Sequence, residues 1–186
     1  MGLIGDGLDR AEQQAFTRPI PRTAGAQMRY LVRQLHSTRA VAGLLGISQR
    51  TVERYVRGQF KHPRPDLAER LADAVRARWQ PGVRARAQKA AATSQGIVIE
   101  TRARFGFTAA PGTTDDGRLR RLTQSLPPEF AARLFSAREQ GASESELSAI
   151  AAEGLQEVYF KDGGRRAGGL TVEFTDIDYI DFGLLS

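Results

Sequence analysis

Apolar positions recur at helical spacing through the first part of the chain and then switch to alternation. In TAGAQMRYLVRQL, from Thr23, Met28, Leu31, Val32 and Leu35 fall three and four apart and predict a helix. In STRAVAGLLGISQRTVERYVRG, from Ser37, either Ser37 or Thr38 caps a helix whose apolar face is Val41, Leu44 and Leu45. Gly46 ends that helix, Ile47 points inward, and Ser48 caps a second helix from Gln49 to about Arg57, which Gly58 stops. Further on, Pro65 stands at a helix start, and Leu67, Leu71, Ala74, Val75 and Trp79 lie on or near one face. Trp79 reads as a lid on the core.

From Gly96 the period changes to two. Ile97, Ile99, Thr101, Ala103, Phe105 and Phe107 alternate with Glu100, Arg102 and Arg104, which predicts a strand with one wet face. In PGTTDDGRLRRL, Thr114 or Asp115 caps a short helix, Asp116 sits at its positive end, and Leu119 and Leu122 pack downward. LPPEFAARLFSAREQG predicts a helix with Pro127 or Pro128 in its first turn and Phe130, Leu134 and Phe135 inward. A second helix follows, with Ser143 and Glu146 forming a capping box. KDGGRRAGG reads as a loop, and the tail LTVEFTDIDYIDFGLL as one or two strands paired with the strand at Ile97. The expected fold is α+β: an N-terminal all-α helix-turn-helix bundle followed by a small α+β domain with a short β-sheet. The expected divisions are an N-terminal segment 1–22, a helix-turn-helix domain 23–82, a basic linker 83–95 carrying Arg84, Arg86 and Lys89, and the α+β domain 96–186.

Charge sharpens this division. Residues 1–95 hold 17 Lys/Arg against 7 Asp/Glu, and residues 96–186 hold 10 against 14. A basic front half points to a polyanionic partner. The spacing small residue (Ala42), turn glycine (Gly46), aliphatic (Val52) resembles a helix-turn-helix, in which the second helix enters the major groove. Its outward residues are then Gln49, Arg50, Glu53, Arg54 and Arg57; Arg and Gln suit base edges, while Ser48 and Thr51 suit phosphate.

The 186 residues contain no cysteine, which excludes disulfides, thiolate zinc sites and cysteine nucleophiles. His36 and His62 lack metal-ligand spacing, so no metal site is expected. Asp176, Asp178 and Asp181 read as a charge-protected strand edge, with a magnesium site as the alternative. No HExxH, GxSxG or Walker loop is present, and MGLIGDGLDRAEQQ is not expected to act as a signal peptide. No run approaches the roughly 18 apolar residues of a membrane span, so a cytoplasmic protein without membrane partners is expected.

Several separated segments carry a more specific similarity: MGLIGDGLDRAEQ, RYLVRQL, SQRTVERYVRGQ, RPDLAERL, IETRARFGFTAAPGTTDD, LPPEFAARLF, GLQEVYF and VEFTDIDYID. Together they resemble the telomere terminal proteins of Streptomyces linear chromosomes and plasmids. The resemblance implies a protein covalently joined to the 5′ end of linear DNA, which caps that end and supplies the hydroxyl that primes filling of the last 3′ overhang. By the same resemblance the linkage threonine falls on Thr114, next to Thr113. It implies as partners telomeric duplex and 3′ overhang DNA, a telomere-associated DNA-binding protein and a DNA polymerase, with a place in the nucleoid. On this reading the chain is a primer rather than an enzyme and needs no cofactor of its own, because the polymerase's magnesium ions serve the chemistry. The helix-turn-helix alone supports another function equally well, a transcriptional regulator whose back half senses a ligand or dimerises. A third reading is an enzyme acting on DNA ends, with Asp115, Asp116 or the tail carboxylates binding metal.

Overall fold

The computed structural model describes residues 2–108, 118–160 and 171–185. Contacts divide the chain into two compact units, Thr17–Pro81 and the pair of segments Met1–Phe16 and Gly82–Ser186.

The Thr17–Pro81 unit is helical. It holds α2 (Ala24–Leu35), α3 (Thr38–Leu45), α4 (Gln49–Val56) and α5 (Pro65–Arg76). Each start has a local cause. Thr23, Ser37 and Ser48 accept hydrogen bonds from the backbone N–H groups of Ala26, Ala40 and Thr51, and Pro65 occupies the first turn of α5. Met28, Leu31, Val41, Leu45, Val52, Leu71 and Val75 form the buried core. Burying each such side chain contributes about 1.5–3 kcal/mol. Leu44 departs from expectation: it is 40 % exposed, and Ala42 takes its place on the inner face. Trp79 closes one side of this core. Its ring lies 4.7 Å from that of Tyr30, and its Nε1 donates to the Arg18 carbonyl at 3.1 Å.

The second unit is an antiparallel sheet of order β2-β1-β3, from β1 (Ile97–Thr108), β2 (Arg118–Leu126) and β3 (Thr171–Leu184). Its inner face is packed with α1 (Leu3–Gln14), α7 (Pro128–Glu139) and α8 (Glu144–Leu155). Ile97, Ile99, Thr101, Ala103 and Phe105 are fully buried, as the alternation in β1 predicts. The Thr101 hydroxyl is satisfied there by donating to the Tyr179 carbonyl at 2.8 Å. β3 is one long strand paired with β1, with Asp178 and Thr175 left out of register where the pairing shifts. Asp178 lies 3.3 Å from Arg102 and Asp181 lies 3.1 Å from Arg10, so these tail carboxylates are tied into ion pairs along an edge strand. The Ser143–Glu146 capping box is present at the start of α8, and Pro128 opens α7. The α+β class is therefore as expected.

Three expectations are corrected. The run after Gly117 is not a helix: Arg118–Leu126 is strand β2, paired with β1 from Ile97↔Leu126 to Phe105↔Arg118. Leu119, expected inward, is 43 % exposed, because in a strand it faces away from Leu122. Segment 1–22 is not separate. Its helix α1 places Ile4, Leu8 and Ala11, all fully buried, in one core with Ile180 and Phe182 of β3. Residues 83–95 are not a linker either. They lie in α6 (Pro81–Ala90) and a π-helical turn (Ala91–Gln95), anchored by buried Ala91 and by an ion pair from Arg84 Nε to Glu12 at 3.1 Å. The turn ends at Gly96, whose φ of 78° and ψ of −163° suit only glycine, and an added Cβ there would run into the Leu126 carbonyl.

Candidate nucleic-acid interface

The turn between α3 and α4 is built by a few local bonds. Gly46 takes φ 62°, ψ 37°, and Ile47 N–H donates back to the Ala42 carbonyl at 3.0 Å, closing the end of α3. Ile47 turns its side chain against the core. Ser48 Oγ then accepts from Thr51 N–H at 3.2 Å and shares a 2.9 Å hydrogen bond with Thr51 Oγ1. One of these two hydroxyl protons remains for an outside acceptor such as a phosphate oxygen.

α4 is held by its inner face. Val52 is fully buried and Tyr55 nearly so. Arg29 of α2 donates to the Val56 carbonyl at 3.2 Å, tying down the far end. Burial raises the Tyr55 phenol above its ordinary pKa, so it stays a neutral core residue. The opposite face carries Gln49, Arg50, Glu53, Arg54 and Arg57, which with Gln59 line a shallow cavity of about 540 Å³. The expected DNA-contacting residues Ser48, Gln49, Arg50, Thr51, Arg54 and Arg57 are thus brought together on one helix, with Gln49, Arg50 and Arg57 exposed and Thr51 and Arg54 half-buried.

Some of the interface is not visible from residue types alone. Gln49 Nε2 donates to Thr38 Oγ1 at 3.0 Å and to Glu53 Oε1 at 3.1 Å, linking the first residues of α3 and α4. The Arg54 guanidinium lies 5.3 Å from the centre of the Phe60 ring, which itself meets Tyr55 edge-on at 5.4 Å. Phe60 is 38 % exposed, so this stack continues the surface of α4 into the segment bearing Lys61 and Arg64. The sequence signal for the Gln49–Thr38 link is the pair of capping serines, Ser37 and Ser48, each followed directly by the polar residue that meets across the turn.

Charge favours an anion. Residues 17–81 carry 13 Lys/Arg against 4 Asp/Glu. Two of those acids, Asp66 and Asp73, are engaged on α5 itself by Arg70 at 3.4 Å and Arg76 at 2.7 Å. Glu53 is the carboxylate on α4.

A scan against protein-family models returned no match, and comparison with curated proteins and with solved structures returned none either. Among the described residues no helix is long and apolar enough to cross a membrane. Among the same residues no three His, Asp or Glu side chains gather as a metal cage. His36 instead closes α2 with a φ of 53°. The priming residue expected at Thr114, with Thr113, Asp115 and Asp116, lies outside the described residues, in the connection from β1 to β2.

Proposed function

We propose that this chain is a terminal protein of linear DNA: it holds DNA through α3 and α4 and offers the Thr114 hydroxyl as the primer to which a polymerase joins the first nucleotide. The observation that carries the DNA-binding part is the α3–Gly46–α4 turn, which leaves Gln49, Arg50 and Arg57 on the outer face of a helix anchored by Val52 and Tyr55. The priming part is supported by the sequence resemblance across both halves of the chain.

The chemistry asks little of the protein itself. The Thr114 oxygen attacks the α-phosphorus of a deoxynucleoside triphosphate. A phosphoester bond forms, the bond to the β-phosphate breaks, and pyrophosphate leaves with the hydroxyl proton taken up at the polymerase site. Two magnesium ions of the polymerase align nucleophile and leaving group. The contribution of the chain is then proximity: a bound duplex raises the local concentration of the DNA end near the hydroxyl. Such a protein acts at DNA ends in the nucleoid, beside a telomere-associated DNA-binding protein.

The test is incubation of the full chain with polymerase, magnesium, telomeric DNA and labelled deoxynucleotide, followed by denaturation. Label that stays on the protein, and is absent from Thr114→Ala, supports the proposal. Label retained by Thr114→Ala moves the linkage to another hydroxyl. Tight binding to a short palindromic duplex with no covalent product would instead favour the transcriptional regulator.

A further inference from the structure

We infer that Gln49 reads DNA as a hydrogen-bond acceptor, and that with Glu53 it selects a cytosine through its N4 amino group in the major groove. The inference rests on the DNA-binding reading above and adds the base class.

A glutamine amide offers two N–H donors and one carbonyl acceptor, and which end points where is fixed by its neighbours. Here the neighbours decide it. The Glu53 carboxylate only accepts, so the group 3.1 Å from its Oε1 must be the Gln49 nitrogen. The second N–H goes to Thr38 Oγ1 at 3.0 Å. Both donors are therefore used inside the protein, and Oε1 is the group left to face outward from the first, exposed position of α4. The N-terminal end of a recognition helix is the part that approaches base edges.

This constrains the partner base. Glutamine reads adenine by accepting from N6 while donating to N7. That second bond is unavailable while Thr38 and Glu53 hold the amide. Guanine presents two acceptors, N7 and O6, and thymine presents O4; each would oppose the Gln49 carbonyl and the Glu53 carboxylate. Cytosine presents one N4 proton to the groove with no acceptor of its own beside it, an edge that can donate to the Gln49 carbonyl next to the Glu53 carboxylate. Arg50, exposed on the adjacent position, carries the complementary donors for a guanine.

The experiment is selection from a pool of randomised duplex oligonucleotides with the full chain, repeated for Gln49→Ala, Glu53→Ala and Thr38→Val, with circular dichroism confirming that each variant keeps its helices. The wild-type chain is expected to enrich sites with cytosine at one position, preferred roughly tenfold over the other bases. Gln49→Ala should flatten that position while leaving the others. Glu53→Ala and Thr38→Val each remove an acceptor that holds the amide and should shift the same position toward adenine. A Gln49-dependent guanine or thymine, or an enriched motif that Gln49→Ala leaves unchanged, overturns the inference while DNA binding stands. Failure of the wild-type chain to retain any duplex at low salt would overturn the DNA-binding reading and this inference with it.

Discussion

Glu144, in the first turn of α8, accepts hydrogen bonds from the backbone N–H groups of Ile4 at 2.5 Å and Gly5 at 3.4 Å, at the start of α1. The residue before α1, Gly2, has no side chain to do this. The cap of α1 is therefore supplied from a position 140 residues away. Glu144→Ala is expected to cost about 1–2 kcal/mol in chemical denaturation, and to speed hydrogen exchange at Ile4 and Gly5 selectively. Glu144→Gln, which keeps an acceptor, should retain part of both. Exchange rates at these amides that do not move in Glu144→Ala would show that another group caps the helix.

Glu12 is fully buried, yet charged partners surround it. Arg84 Nε lies 3.1 Å away in an ion pair bent short of hydrogen-bond geometry, Gln88 Nε2 donates at 2.6 Å, and Arg138 donates to its Oε1 while also meeting Asp9 at 3.0 Å. Removing the carboxylate takes a shared partner from two cations that are each largely buried. Glu12→Leu is expected to destabilise the chain by about 3–5 kcal/mol. Adding Arg138→Met should recover a measurable part of that loss, seen as positive coupling in a double-mutant cycle of urea unfolding. Strict additivity would mean the two residues act independently.

Acid stability has a local component at the start of α8. Hydrogen bonds from the Ser143 backbone N–H and hydroxyl hold the Glu146 carboxyl below its ordinary pKa. A depressed folded-state pKa gives stability that is present above the unfolded pKa and is lost as pH falls through the folded one. The Glu146 titration midpoint, followed by NMR, should lie below that of a free glutamate in the wild-type chain and rise toward it in Ser143→Ala. An identical midpoint in both chains would contradict this.

Arginines on α4 should divide into two kinds. Arg50 is exposed, so Arg50→Ala is expected to weaken duplex binding and lower its salt slope by about one counterion, with unfolding unchanged. Arg54 also stacks on Phe60, so Arg54→Ala should weaken binding and lose up to about 1 kcal/mol of stability from the broken stack. Fluorescence anisotropy across a salt series, with thermal melts in parallel, separates the two. Unchanged affinity in both variants would remove α4 from the DNA interface.

Where structure is set by neighbours in sequence, the residues announce it. Ser37, Gly46 and Ser48 fix both ends of the α3–α4 turn within a dozen positions, and the alternation in β1 names its buried side chains one by one. β2 is harder because its inner face includes Arg120 and Gln124, which hide the period of two, while Leu119 and Leu122 imitate a helical stripe. Arg120 is tolerated there because its guanidinium lies over the Phe160 ring at 5.7 Å, a contact from a remote part of the chain. α6 misleads for a related reason: its cations suggest a solvated linker until distant Glu12 draws Arg84 inward. Within the interface, residue types reveal which side chains face outward. The orientation of the Gln49 amide depends on Thr38, eleven positions earlier, and so is not written in the residue types of α4.

The placement of α1 has a consequence for synthesis. Its apolar stripe, Ile4 and Leu8, leaves the ribosome well before its packing partners Ile180 and Phe182, which lie in β3. The helical unit Thr17–Pro81 is complete long before then and can fold while translation continues. A nascent chain that stalls before β3 would therefore display a finished helical unit and an orphaned hydrophobic helix, a ready target for chaperones and proteases.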